Sequence, residues 1–254
     1  SYLLISCIDN TVVLPRSVGA FNKVIVVAKG SLWAGDVGDQ IRNSFGELMV
    51  GLPQPEKTLS VGHVAPNGFT SMMRSNRNVL VIELSDKESY VKTTNKYANP
   101  QTLIYLSAKD KMGLLSSLKE HMSEIIQTFK ESDIKVLQRS FYNKRVNDSM
   151  YKTLKKLNIS FTIPEEFKTV DDTGDFLWLR QHLKSGIARG AGNNNILVYS
   201  LPLNDQTMSS NNIISMRDQI GEKYIPGSKQ GMYMITEAAY TPRTIKTEFL
   251  GNDA

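Results

Sequence analysis

The sequence predicts an α+β fold, with mixed or antiparallel sheets, packed helices and a two-part architecture. Three observations lead there. Two compact runs, Asn22 to Ala28 (NKVIVVA) and Asn78 to Leu84 (NVLVIEL), are rich in β-branched apolar residues, as buried strands are. One long stretch, Lys109 to Phe129, places Met112, Leu115, Leu118, Met122, Ile125, Ile126 and Phe129 at spacings of three and four, which is helical. Strand-rich segments lie on either side of this helical block instead of alternating regularly with helices.

The elements follow in order. After the first strand, Ser31 to Trp33 and the spaced Val37, Ile41 and Phe45 predict a short amphipathic helix closing near Gly46. Leu52 to Pro55 is a loop, Thr58 to Val64 a strand, Gly68 to Ser75 one or two helical turns, and Asn78 to Leu84 the second buried strand. Tyr90 to Tyr97 and Thr102 to Ser107 read as strands parted by Asn99-Pro100. Past the long helix, a second helical stretch carries Ile134, Leu137, Phe141, Met150, Leu154 and Leu157, with a break around Asn147. Phe167 to Val170 and Phe176 to Leu183 form a hairpin turning at Asp172-Thr173-Gly174-Asp175. Gly186 to Asn195 is a polar loop, Ile196 to Leu201 a strand, and Asn211 to Tyr224 a helix. Met232 to Ala238 and Thr244 to Phe249 are strands. The expected divisions are a remnant and tether over 1–13, an N-terminal domain over 14–150 and a C-terminal domain over 158–254.

Composition bounds the function. The 254 residues suffice for one large or two ordinary domains, and no apolar run reaches the ~18 residues that span a bilayer. Net charge is +5, and the excess is local: Lys130 to Asn158 holds eight basic residues against three acidic ones. A single cysteine, Cys7, excludes an intramolecular disulfide. The first residue is Ser1, so upstream residues of a leader are expected. Leu4-Ile5-Ser6-Cys7 resembles the lipobox of bacterial lipoproteins, in which the cysteine sulfur takes the lipid. Asp9, Asn10, Thr11 and Pro15 then read as a tether, and two or more acyl chains give stable anchoring. The competing reading is a strand from Tyr2 to Ile8 with Cys7 as a small buried hydrophobe.

Five segments together carry a family resemblance. They are Leu14 to Gly19, Leu32 to Gly38, Gly51 to Pro55, Phe176 to Arg180 and Tyr224 to Gly227. They resemble the uncharacterised Bacteroidetes proteins grouped as domain of unknown function 4837, over about Leu14 to Phe249. The resemblance implies a lipoprotein signal and a chain continuing past Ala254, and it implies no activity or catalytic residue.

Other motifs carry little chemistry. Asp172-Thr173-Gly174 matches the aspartic-protease triplet but occurs once, where a hairpin wants short polar residues and glycine. Neither Arg189 to Gly192 nor Gly35 to Gly38 has the lysine and glycine pattern of a phosphate loop. His63, His121 and His182 are dispersed, and only His121 has a local partner, Glu124, so no metal or cofactor is expected. The basic residues Lys135, Arg139, Lys144, Arg145, Lys152, Lys155 and Lys156 are expected on helix surface, available to an anionic surface. Phe141, Tyr142 and Tyr151 are read as core, which argues against nucleic-acid stacking. The functional expectation is a membrane-anchored cell-envelope lipoprotein attached through Cys7. It would act as a non-enzymatic binding or assembly module for an envelope protein or glycan. An envelope hydrolase with a dispersed site is the alternative.

Overall fold

The computed structural model describes residues 13–50, 52, 55–183, 192–202, 210–239, 248–249 and 252–253. The fold is α+β and divides into two compact units. One comprises Ser1–Leu48 and Glu56–Gln138, the other Met49–Pro55 and Arg139–Ala254.

The first unit is built on a mixed sheet. Its strands are β1 (Lys23–Val27), β2 (Ser60–Val64), β3 (Asn78–Leu84), β4 (Ser89–Thr94) and β5 (Thr102–Ala108), in the order β2-β1-β3-β5-β4. Pairing is parallel except between β4 and β5. Parallel strands bury both faces, which is why the centres of β1 and β3, residues 24–27 and 79–82, are continuously apolar and do not alternate. One face receives α2 (Asp36–Phe45) and α4 (Lys111–Asn143). Val37, Ile41 and Phe45 of the first, and Leu114, Leu118, Met122, Ile125 and Phe129 of the second, pack on Val24, Val26, Leu80, Ile82, Ile104 and Leu106. On the other face Ile25, Val27, Val79 and Leu103 gather Val64, Phe69 and Tyr97. The four-residue α1 (Gly30–Trp33) ends under α2, and a Cβ on Gly38 would lie 1.9 Å from the Trp33 carbonyl oxygen. That close approach requires glycine and accounts for the Leu32 to Gly38 motif. The turns expected over Gly68 to Ser75 are a 3₁₀ turn at Pro66–Gly68 and α3 (Ser71–Arg74).

Two helical stretches were expected on either side of Lys130. Instead α4 runs unbroken for 33 residues. Asp133, a residue that favours caps and turns, is 2% exposed within it. Its carboxylate accepts from the Asn22 N–H at 2.6 Å, Arg77 Nε at 2.6 Å and Asn78 Nδ2 at 3.1 Å. Arg77 in turn donates to the Gly19 carbonyl at 3.1 Å and lies over the Phe21 ring. The buried charge is thus fully engaged, and it ties α4 to the starts of β1 and β3.

The second unit contains α5 (Lys152–Leu157), β6 (Lys168–Asp172), β7 (Phe176–Leu183), β8 (Gly192–Tyr199) and α6 (Ser210–Tyr224). The three strands form an antiparallel sheet in the order β6-β7-β8. The segment Asn147 to Ser160, read from the sequence as a junction, places Tyr151 and Leu154 in a core with Ile163, Leu177 and Leu179. A second cluster joins Phe176, Trp178 and Ile225. The hairpin turn lies where expected, with Gly174 at φ +94°. Two expectations are corrected. Residues Gly192 to Asn195 of the supposed loop are strand, because they pair with Arg180 to Leu183. Met232 to Ala238 is not a strand: it bridges only from Tyr233 to Pro226, while the Thr236 N–H and hydroxyl bind Asp218 of α6. The rest of the loop, 184–191, lies outside the described residues. So does most of the expected strand from Thr244 to Phe249, of which β9 (Glu248–Phe249) pairs with β10 (Asn252–Asp253).

Candidate functional site

Cys7 and the segment 1–12 lie outside the described residues. The seven basic candidates are all exposed. Lys135 and Arg139 lie on α4, Lys144 and Arg145 immediately follow it, and Lys152, Lys155 and Lys156 lie on α5. They are not equally free. Lys156 pairs with Asp175, whose carboxyl it holds below the usual range. Arg145 stacks over the Tyr142 ring at 3.6 Å and donates to the Tyr142 carbonyl at 2.5 Å.

The aromatics correct the sequence reading. Tyr151 is core, as expected, but Phe141 is 41% exposed and Tyr142 57%. They cannot pack inward because the buried row of α4 ends at Asp133, and the helix runs on past it. Phe141 and Tyr142 therefore stand in the open with Lys144 and Arg145 within one helical turn. A shallow cleft of about 300 Å³ adjoins them, lined by Tyr142, Asn143, Arg145, Val146, Asn147 and Asp148. Asp148 is its one acid. The Ser160 hydroxyl at 2.5 Å is the first cause holding its carboxyl below the usual range, and the Phe161 N–H at 3.1 Å adds to it.

A second cleft, of about 390 Å³, lies in the first unit where β4 and β5 meet the first turns of α4. Glu88, Ser89, Tyr90, Ser107, Gly113, Ser116, Ser117, Glu120 and His121 line it. The Tyr90 and His121 rings stack at 4.0 Å, only 4° from parallel. Lys92 pairs with Glu124, which also lies 3.9 Å from His121 Nδ1. Tyr90 Oη is buried without a hydrogen bond, since Glu124 is near it but outside good hydrogen-bond geometry. Burial first, and then the Glu124 carboxylate, push the Tyr90 pKa up to about 12. Glu124 is lowered, chiefly by the hydrogen bond from Lys92. A carboxylate so lowered is a poor proton acceptor, and a phenol so raised stays neutral at physiological pH. Among the described residues no serine hydroxyl hydrogen-bonds His121, and no group of three His, Cys, Asp or Glu side chains is placed to hold a metal.

The Asp172-Thr173-Gly174 triplet is committed to structure. Asp172 caps α5 from another element, accepting from the Lys152 N–H at 2.7 Å, the Thr153 N–H at 3.0 Å and the Thr153 hydroxyl at 2.7 Å. Burial alone would raise its pKa, but these bonds outweigh it and hold the carboxyl below its ordinary value.

The spacing of His121 and Glu124 is visible in the sequence, whereas nothing local marks Tyr90, Lys92, Glu88 or Glu120. Only the pairing of β4 with β5 brings β4 beside α4, and no local spacing signals that.

Fold and sites define a chain of two α+β units, neither carrying a recognisable catalytic constellation among the described residues. Residues 17–142 match the family model described as Domain of unknown function (DUF8532), and residues 146–254 match Domain of unknown function (DUF4837). The second match holds Phe176 to Arg180 and Tyr224 to Gly227. The motifs Leu32 to Gly38 and Gly51 to Pro55 fall under the first, so the resemblance drawn from the sequence is narrowed to the second unit's part of the chain. No curated protein and no solved structure matches.

Proposed function

We propose that this chain is a cell-envelope lipoprotein, anchored through Cys7, whose second unit rests on anionic phospholipid and which acts as a binding or assembly module. The observation that carries the reading is the exposed group Phe141, Tyr142, Lys144 and Arg145. Exposed aromatic rings beside lysine and arginine suit a membrane interface: the rings enter the headgroup region while the cations meet phosphate. Each cation near an anionic surface contributes roughly 1 kcal/mol, which is weak alone and useful beside an anchor. Lys156 is already paired with Asp175, and Asp148 lines the same cleft as Arg145, which breaks the run of free cations that a polynucleotide would follow. No described helix is long and apolar enough to cross a membrane, so in this reading attachment rests on the acyl chains and this surface. Fractionation of the full-length protein tests it. The parent should stay with membranes through a high-salt wash, and the Cys7→Ser protein should be retained at low salt and released by that wash. A Cys7→Ser protein that resists the wash, or takes up labelled fatty acid, would contradict the anchor.

A further inference from the structure

The geometry points to a second binding site in the first unit: the cleft between β4, β5 and α4 takes a small hydroxylated ammonium compound, of the class of an amino sugar with a free amine. The lining carries two carboxylates, Glu88 and Glu120, that make no ion pair or hydrogen bond among the described residues; it has no lysine or arginine, and its one imidazole, His121, is stacked on Tyr90 and lies 3.9 Å from Glu124. Lys92, the nearest cation on β4, is taken by Glu124. An anion entering the cleft meets two uncompensated negative charges, and an apolar ligand finds mostly polar lining. A cation is therefore preferred, in a protein whose overall charge is +5.

Hydroxyl recognition follows from the serines. Ser89 and Ser107 are bonded to each other at 3.0 Å, and Ser107 donates to the Lys87 carbonyl at 2.7 Å, so both are spent within the protein. Ser116 and Ser117, on successive positions of α4, make no hydrogen bond among the described residues and can both donate and accept. The stacked Tyr90 and His121 rings form a rigid wall. At about 390 Å³ the cleft falls within the range of roughly 300–1,000 Å³ found for small-molecule sites.

The test is titration of the isotopically labelled Cys7→Ser protein with glucosamine, glucose and N-acetylglucosamine, in a buffer free of amines and followed by amide chemical shifts. Glucosamine should shift the amides of Gly113, Ser116, Ser117 and Ser89, and the two sugars without an ammonium group should not. Glu120→Gln and Glu88→Gln, both at exposed positions, should each weaken glucosamine binding about tenfold by removing a charge-assisted hydrogen bond. Equal shifts from N-acetylglucosamine would overturn the charge argument. Absence of any shift with glucosamine, or shifts unchanged in both variants, would overturn the site. The outcome is independent of membrane attachment, since it is read on the unacylated protein.

Discussion

Replacing Asp172 should destabilise the second unit through its helix cap. The carboxylate satisfies two backbone N–H groups of α5 and the hydroxyl of Thr153, a residue of zero exposure. The same hydroxyl accepts from the Gly174 N–H at 3.2 Å, so cap and hairpin turn share one network. Removing a cap costs about 0.5–2 kcal/mol. A stranded buried donor costs roughly a further 1–3 kcal/mol. Asp172→Ala should therefore cost about 2–4 kcal/mol, and Asp172→Asn, which keeps one acceptor oxygen, about 1–2 kcal/mol. The sign of the pH dependence is fixed by the lowered pKa. This contribution is whole above the ordinary aspartate value of about 3.9 and is lost as pH falls through the lower folded value. The assay is urea unfolding followed by Trp178 fluorescence in a Trp33→Phe background, with Asp175→Asn as control. Asp175 makes only an exposed ion pair, so its replacement should leave the midpoint unchanged. If Asp172→Ala and Asp175→Asn behave alike, or if Asp172→Asn keeps the parent's acid limb, the cap is not what holds α5.

Two further outcomes are expected. Asp133→Ala should cost about 3–5 kcal/mol, because it leaves Arg77 charged and buried without its partner; thermal unfolding would check this, and a loss under 1 kcal/mol would contradict it. Tyr90, with its folded pKa raised to about 12, contributes stability that is whole below the ordinary tyrosine value of about 10 and is lost as pH rises towards 12. Tyr90→Phe should remove that alkaline loss, and absorbance titration of the phenolate in parent and variant should differ by one late-titrating group.

Much of this fold is legible in the sequence because it is local. The runs at Asn22 to Ala28 and Asn78 to Leu84 are strands, and the Val37, Ile41, Phe45 spacing is a buried helix face. The glycine in the Asp172 to Asp175 turn adopts the positive φ that the motif implies. What was illegible depends on partners distant in sequence. The helical pattern falters at Asp133, and the groups that make it tolerable there are Asn22, Arg77 and Asn78, between 55 and 111 residues away. Phe141 and Tyr142 continue an apolar stripe in sequence, yet the core they would join has ended. The cleft needs Tyr90 from β4 against His121 from α4, a meeting fixed by sheet order. Cap and turn chemistry likewise coincide at Asp172, where sequence shows the turn alone.

In the proposed function, Phe141, Tyr142, Lys144 and Arg145 meet an anionic membrane surface. Co-sedimentation of the Cys7→Ser protein with phosphatidylglycerol and phosphatidylcholine vesicles tests it directly, at about 10 mM salt, where the Debye length is about 30 Å, and at about 1 M, where it is about 3 Å. The protein should sediment with the anionic vesicles at low salt only, and Phe141→Ser with Tyr142→Ser, or Lys144→Gln with Arg145→Gln, should each weaken that binding several-fold. No binding to phosphatidylglycerol at low salt, or binding that both double variants retain in full, would contradict the claim, as would tighter binding to single-stranded DNA than to the vesicles.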